Sequence, residues 1–212
     1  RIPKIWFHKM KSSIFISTEE EKEIAKKLSP LRAKVYLESR AFMRGCIAEL
    51  LDKSPFEIAL KAYPGEIPKI PKKDGNISIS HTKNDLIVIW HEEKIGIDIE
   101  KTDRKFNYQG LTKKYFQKRE RTKNKTSIKK KDILQEWSAI EAAIKWEGGK
   151  ISKDLKEWEY VSEEKEIYHK NKNLTLTLNQ FEYKDWIISI ATKGKKYQND
   201  QFIICDGINN IS

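Results

Sequence analysis

Only two cysteines occur among the 212 residues, Cys46 and Cys205, far apart and without paired spacing. Their scarcity excludes a disulfide framework and a zinc ribbon, and it points to a reducing, cytoplasmic compartment. No run of about 18 apolar residues is present, so nothing reads as a membrane span. The basic stretch 1–11 has neither an apolar h-region nor a small-residue cleavage site, which argues against a secretory signal. RNP, zinc-finger and helix-turn-helix patterns are missing, and Gly148-Gly149-Lys150 lacks the earlier glycine and the following Ser or Thr of a phosphate loop. No internal repeat is visible, and only one lysine-rich stretch approaches low complexity. What is there is charge: 34% of residues are charged, against about a quarter usually, and the net charge is +11. Apolar and aromatic fractions of 38% and 10% suffice for a buried core, in one large domain or two small ones. The surface should attract nucleic acid, anionic membrane, polyphosphate nucleotides or acidic proteins, and charge alone does not rank these.

Thr18 followed by Glu21 reads as a capping box opening a short helix with Ile24, Ala25 and Leu28, stopped by Ser29-Pro30. In the next helix Leu31, Val35, Phe42, Cys46 and Leu50 form a core-facing stripe, and Arg32, Arg40 and Arg44 form a basic flank. A further short helix from Ser54-Pro55 through Leu60 precedes irregular chain over 64–71. Three strands are then predicted as an antiparallel meander: 77–80, where Ile and Ser alternate, 86–90 and 95–100. The stretch 117–131 holds eight Lys or Arg among its fifteen residues and reads as a solvated loop or frayed helix. Next, 132–147 is the clearest helix, with Ile133, Trp137, Ile140 and Ile144 on one stripe and Gly148-Gly149 as its stop. Short strands are predicted at 158–161, 174–178, 186–191 and 202–205.

Two segments carry candidate chemistry. In Ile95-Gly96-Ile97-Asp98-Ile99-Glu100 side chains alternate, so the isoleucines share one face of the strand and Asp98 and Glu100 share the other. Two neighbouring carboxylates repel unless a cation lies between them; the other reading is simply an acidic, exposed strand face. On the helix, Ser138, Glu141 and Lys145 lie on one face, offset from the apolar stripe; Glu141 and Lys145 could also be an ordinary surface pair. Together Asp98, Glu100 and Glu141 would make an open magnesium site, completed by water and substrate phosphate, with Lys145 placed to meet a phosphate. His81, taken alone, reads more simply as a local hydrogen-bonder at a strand end.

Ser80-His81, Gly96-Ile97-Asp98-Ile99-Glu100 and Trp137-Ser138-Ala139-Ile140-Glu141-Ala142-Ala143-Ile144-Lys145 resemble, in order and spacing, the signature of the 4'-phosphopantetheinyl transferase superfamily. Trp137 follows Asp98 by 39 positions. The likeness extends to Ser39-Arg40-Ala41, to Tyr115-Phe116 with Glu120, and to Glu147-Gly148-Gly149, so that it spans roughly residues 30 to 152. The length resembles the family's larger, monomeric branch. That resemblance implies an α+β fold of two similar α/β halves about a pseudo-two-fold axis, each a small antiparallel sheet packed with helices. Residues 1–94 would form the coenzyme A adenosine and phosphate side, and 95–212 the half with the acidic strand and the Glu/Lys helix.

Carried over position by position, the resemblance implies magnesium ligands at Asp98, Glu100 and Glu141, with Glu141 also the general base on a carrier serine. It implies a diphosphate contact at Lys145, phosphate contacts at Ser80 and His81, and adenosine 3'-phosphate contacts at Arg40, Arg32 and Lys26. The reaction would move the phosphopantetheine arm of coenzyme A onto an acidic acyl or peptidyl carrier protein, with no nucleic-acid or membrane partner. Two positions depart from the family pattern: Ile140 stands where lysine is common before the glutamate, and Glu66 follows Gly65 where some members have lysine. Ile140 leaves open an inactive homologue that binds a carrier without modifying it. The net charge leaves open a nucleic-acid-binding protein using 117–131 as an electrostatic arm, although that reading does not account for the acidic strand.

Overall fold

Local sequence accounts for the first helices. In the computed structural model, which describes residues 1–11, 16–107, 110 and 129–208, Thr18 caps helix α1 (Glu19–Lys26) through the predicted box. The Glu21 amide donates to Thr18 Oγ1 at 3.2 Å, and the Thr18 amide donates to Glu21 Oε2 at 3.0 Å. Pro30 then opens α2 (Pro30–Leu51), its fixed φ matching a first helical position, and Asp52 closes it in the left-handed region at φ 52°.

The chain divides into two units, Arg1–Gly96 with Asp200–Ser212, and Ile97–Asn199. In the first, α2 packs on a four-stranded sheet of order β2-β3-β1-β9, made of β1 (Lys4–Lys9), β2 (Asn76–His81), β3 (Asp85–His91) and β9 (Ile204–Asp206). Strand β1 pairs antiparallel with β3, Lys4 opposite Trp90, and parallel with β9, Ile5 opposite Ile204. Phe42, Met43, Cys46 and Ile47 of α2 meet Trp6, Ile77, Leu86, Val88 and Trp90 in one apolar core.

Three expectations need correction in this unit. The stripe on α2 does not reach the core at its start, where Leu31 is 62% exposed; farther along, every residue from Ala41 to Ala48 is buried. Nor is Arg44 part of an exposed flank. It is buried beneath α1 and paired with Glu21, because α1 covers the side of α2 that the sheet does not. The helix expected through Leu60 is a single 3₁₀ turn, Pro55–Glu57, capped by Ser54.

The second unit holds a five-stranded sheet of order β4-β8-β7-β6-β5, from β4 (Gly96–Lys101), β5 (Trp158–Val161), β6 (Glu166–His169), β7 (Leu174–Tyr183) and β8 (Trp186–Thr192). Strands β5 to β8 run antiparallel in sequence order. The meander expected for β2, β3 and β4 therefore ends at β3. Both edges of β3 are taken, by β2 and β1, so the chain leaves that sheet and β4 pairs with β8. Helix α3 (Lys130–Glu147) lays Ile133, Ile140, Ile144 and three alanines on the sheet residues Ile167, Leu176, Leu178 and Ala191. It ends where Gly148 adopts φ 91°, a left-handed conformation that lets its amide reach the Ile144 carbonyl at 3.0 Å. A short helix α4 (Ile151–Asp154) follows.

The fold is thus α+β, with two antiparallel-rich sheets. Cys46 is buried, Cys205 is exposed, and both are free. Among the described residues, no helix is long and apolar enough to cross a membrane.

Candidate metal centre

Alternation on β4 has the predicted consequence: Ile97 and Ile99 occupy one face, and Asp98 and Glu100 the other. All four are buried, so the acidic face is not the solvated decoration that alternation also allowed. Helix α3 brings Glu141 and Lys145, one turn apart, to the same place, while Ile140 and Ile144 face the core. Ligand oxygens of Asp98, Glu100 and Glu141 all lie within 4.8 Å of one another, and the whole cluster belongs to the second unit.

Such crowding raises the free energy of the ionised forms. Burial, then the Asp98 charge, pushes the Glu141 carboxyl up to about 9, although Lys145 opposes the shift. Burial and Asp98 also raise Glu100, opposed by Arg104. Two cations balance part of the charge. Lys145 Nζ donates to Asp98 Oδ1 at 2.8 Å and lies 3.9 Å from Glu141 Oε2. Arg104 Nη1 reaches both oxygens of Glu100, at 2.7 and 2.6 Å.

Sequence reasoning missed Arg104. It stands four residues beyond Glu100, past the end of the strand, and only the turn in which its amide donates to the Lys101 carbonyl at 3.0 Å folds it back. An acidic residue on the functional face followed at i+4 by arginine was the available signal.

Three oxygen donors and no sulfur or imidazole suit a hard cation, and one placed among them would relieve the repulsion that raises Glu100 and Glu141. On chemistry and proximity the residues fit magnesium.

The remaining candidates lie in the first unit. Arg40 is engaged by its own unit: Nε donates to the Ala62 carbonyl at 2.7 Å, Nη1 to Ser39 Oγ at 2.8 Å and Nη2 to the Tyr63 carbonyl at 3.4 Å. Its guanidinium also stacks over Tyr36. Ser80 is buried in β2, and His81 ends that strand exposed. Arg32 and Lys26 are exposed, Lys26 in a surface pair with Glu23. Ile140 is 3% exposed and packs among apolar neighbours, so its place in the motif is filled by a core side chain. Glu66 is exposed in the loop after Gly65. Tyr115, Phe116, Glu120 and most of the basic stretch, 117–128, lie outside the described residues.

A family model of the 4'-phosphopantetheinyl transferase superfamily matches residues 94–192. Over that span, the chain is similar to this superfamily. The match takes in β4 to β8 and α3, and with them Asp98, Glu100, Arg104, Glu141 and Lys145. No curated protein matches the chain. The match indicates a transferase of the phosphopantetheinyl type.

Proposed function

We propose that the protein transfers the 4'-phosphopantetheine group of coenzyme A to a serine of an apo carrier protein, giving holo carrier protein and 3',5'-ADP. One observation carries the reading: β4 and α3, distant in sequence, bring the buried Asp98 and Glu100 together with the partly buried Glu141 and Lys145 inside the segment that matches the superfamily.

Asp98, Glu100 and Glu141 would hold magnesium, which when bound supplies charge stabilisation for the diphosphate. The serine oxygen bonds to the phosphorus that carries the pantetheine arm, the bond from that phosphorus to the bridging oxygen breaks, and 3',5'-ADP departs with the bonding pair. A Glu141 carboxylate oxygen accepts the serine proton, a role for which general bases contribute roughly 10²- to 10⁴-fold in rate. Burial and Asp98 favour the protonated form of Glu141, so positive charge beside it is needed to keep the base ionised. Lys145 exchanges Asp98 for a phosphate oxygen and so neutralises charge where the leaving group forms.

On the resemblance, Arg40, Ser80, His81, Arg32 and Lys26 are the candidate contacts for the phosphates and the adenosine end. Ser39, Tyr36 and the 62–63 carbonyls hold Arg40 in one orientation, which reduces the entropy lost when it meets an anion. The net charge of +11 steers an acidic carrier toward a monomeric, cytoplasmic enzyme.

Incubation of an apo carrier protein with the chain, coenzyme A and magnesium should add the mass of one phosphopantetheinyl group. EDTA should prevent the gain, and Asp98→Ala should abolish it while the variant still melts cooperatively. Coenzyme A binding without any mass gain, across several carriers, would favour the inactive homologue suggested by Ile140. Salt-sensitive nucleic-acid binding without response to coenzyme A would refute the proposal.

A further inference from the structure

The motif residues leave one member of the cluster without a role. Arg104 places a single guanidinium nitrogen 2.7 and 2.6 Å from the two oxygens of Glu100, a carboxylate that the metal reading also requires. The partners differ in freedom: the Glu100 side chain is 8% exposed and the Arg104 side chain 46%. Glu100 is fixed by its strand, whereas the guanidinium can turn into solvent.

Its backbone need not move for that to happen. The Arg104 amide is tied to the Lys101 carbonyl at 3.0 Å, and the Thr102 amide to the Asp185 carbonyl at 2.9 Å, so the turn after β4 is anchored independently of the side chain. Arg104 Cζ also lies 5.8 Å from the ring centre of Phe106, which packs against the core, so an aromatic face stands beside the guanidinium.

A divalent ion bonded to a Glu100 oxygen at about 2.1 Å would lie within about 5 Å of the guanidinium nitrogen, like charge against like in a poorly solvated place. The two cannot both be held at full strength. We infer that Arg104 is a built-in competitor for Glu100, which lowers the affinity of the three-carboxylate cluster for divalent cations and releases Glu100 by side-chain rotation when the ion binds. This inference rests on the cluster being a cation site. Lys145 differs in its destination: in the proposed reaction it passes from Asp98 to a phosphate, whereas the side-chain hydrogen bonds of Arg104 among the described residues run to Glu100.

The test is direct titration of the purified chain with Mn²⁺, following free Mn²⁺ by electron paramagnetic resonance, for wild type, R104Q, R104K and E100Q. R104Q removes the charge from a half-exposed position and should bind Mn²⁺ about tenfold more tightly, the effect of one screened charge. R104K keeps the charge and should stay near wild type, and added inert salt should narrow the gap between wild type and R104Q. Equal binding by wild type and R104Q, or weaker binding by R104Q, overturns the inference. In the first case Arg104 is a bystander; in the second it positions Glu100 as a ligand. If neither wild type nor R104Q binds Mn²⁺, the cluster is not a cation site and the reading beneath the inference falls with it. Tight binding by R104Q where wild type binds none supports competition in its strongest form. Melting curves on every variant establish that each is folded.

Discussion

Replacing Lys145 with methionine keeps the length of the side chain and deletes its charge, so it isolates what the ammonium does inside the acidic cluster. At 2.8 Å from Asp98 Oδ1 its Coulomb attraction is about 6 kcal/mol for an effective dielectric constant of about 20. Much of that is offset by the desolvation of both groups, and removing one partner of a buried pair usually costs about 3–5 kcal/mol. The Lys145 side chain is 24% exposed, so water can reach part of the space it leaves, and we expect a loss of about 2–3 kcal/mol in EDTA at pH 7. Magnesium should change the result. In wild type the ion must compete with the ammonium for Asp98, whereas in the variant it meets a carboxylate that lacks that cation. Saturating magnesium should therefore stabilise Lys145→Met more than wild type and reduce the defect to below about 1 kcal/mol. Urea unfolding followed by tryptophan fluorescence, with EDTA and with magnesium, measures both quantities. A defect of the same size in both conditions would mean that Lys145 is a packing residue and that no cation shares its carboxylates. Absence of any defect in EDTA would mean that the acidic cluster is not strained.

The raised Glu141 carboxyl sets a pH dependence. Between its ordinary value of 4.5 and about 9, the folded chain retains a proton that the unfolded chain has released, so without divalent ions stability falls as pH rises through this window. The slope approaches about 1.4 kcal/mol per pH unit at most, and the Glu100 shift adds in the same direction. Denaturation midpoints in EDTA from pH 5 to 9 should fall for wild type and flatten for Glu141→Gln; an equal slope in both proteins would place its origin elsewhere. In the first unit, Arg44→Met should cost about 3–5 kcal/mol because it leaves Glu21 buried beside no cation. Adding Glu21→Gln, which keeps a capping-box side chain, should recover part of that loss in a double-mutant cycle, whereas strictly additive effects would show that the pair is not coupled.

What was legible in the sequence is what local periodicity encodes. A two-residue alternation placed Asp98 and Glu100 on one face of β4, and a 3.6-residue repeat placed Glu141 and Lys145 off the apolar stripe of α3; the structure brings both pairs together. The capping box at Thr18 is equally local. Pairing between distant segments was not legible. Strand β1 sits inside the first sheet although its Ile5-Trp6-Phe7 run is short, and its presence on the free edge of β3 sends β4 to the other sheet. Nothing within residues 76–101 encodes that choice, because an apolar-acidic strand beside β3 would satisfy the same pattern.

Arg44, which was misread, and Arg104, which was missed, follow the same logic. Helical spacing put Arg44 off the stripe, but whether an off-stripe position meets water depends on what packs there. Glu21 on α1 supplies the counter-charge that makes burial of Arg44 tolerable. Arg104 lies beyond the end of β4, where strand alternation no longer constrains direction, and a turn anchored on Asp185 decides that its side chain returns to Glu100. Arg44 is defined by a carboxylate that tertiary structure brings to it, and Arg104 by one four residues earlier, to which the turn returns it. A basic sequence therefore says little about which of its cations are surface charge and which are fixed opposite buried acids, and at Arg104 that distinction determines how the acidic cluster meets a metal.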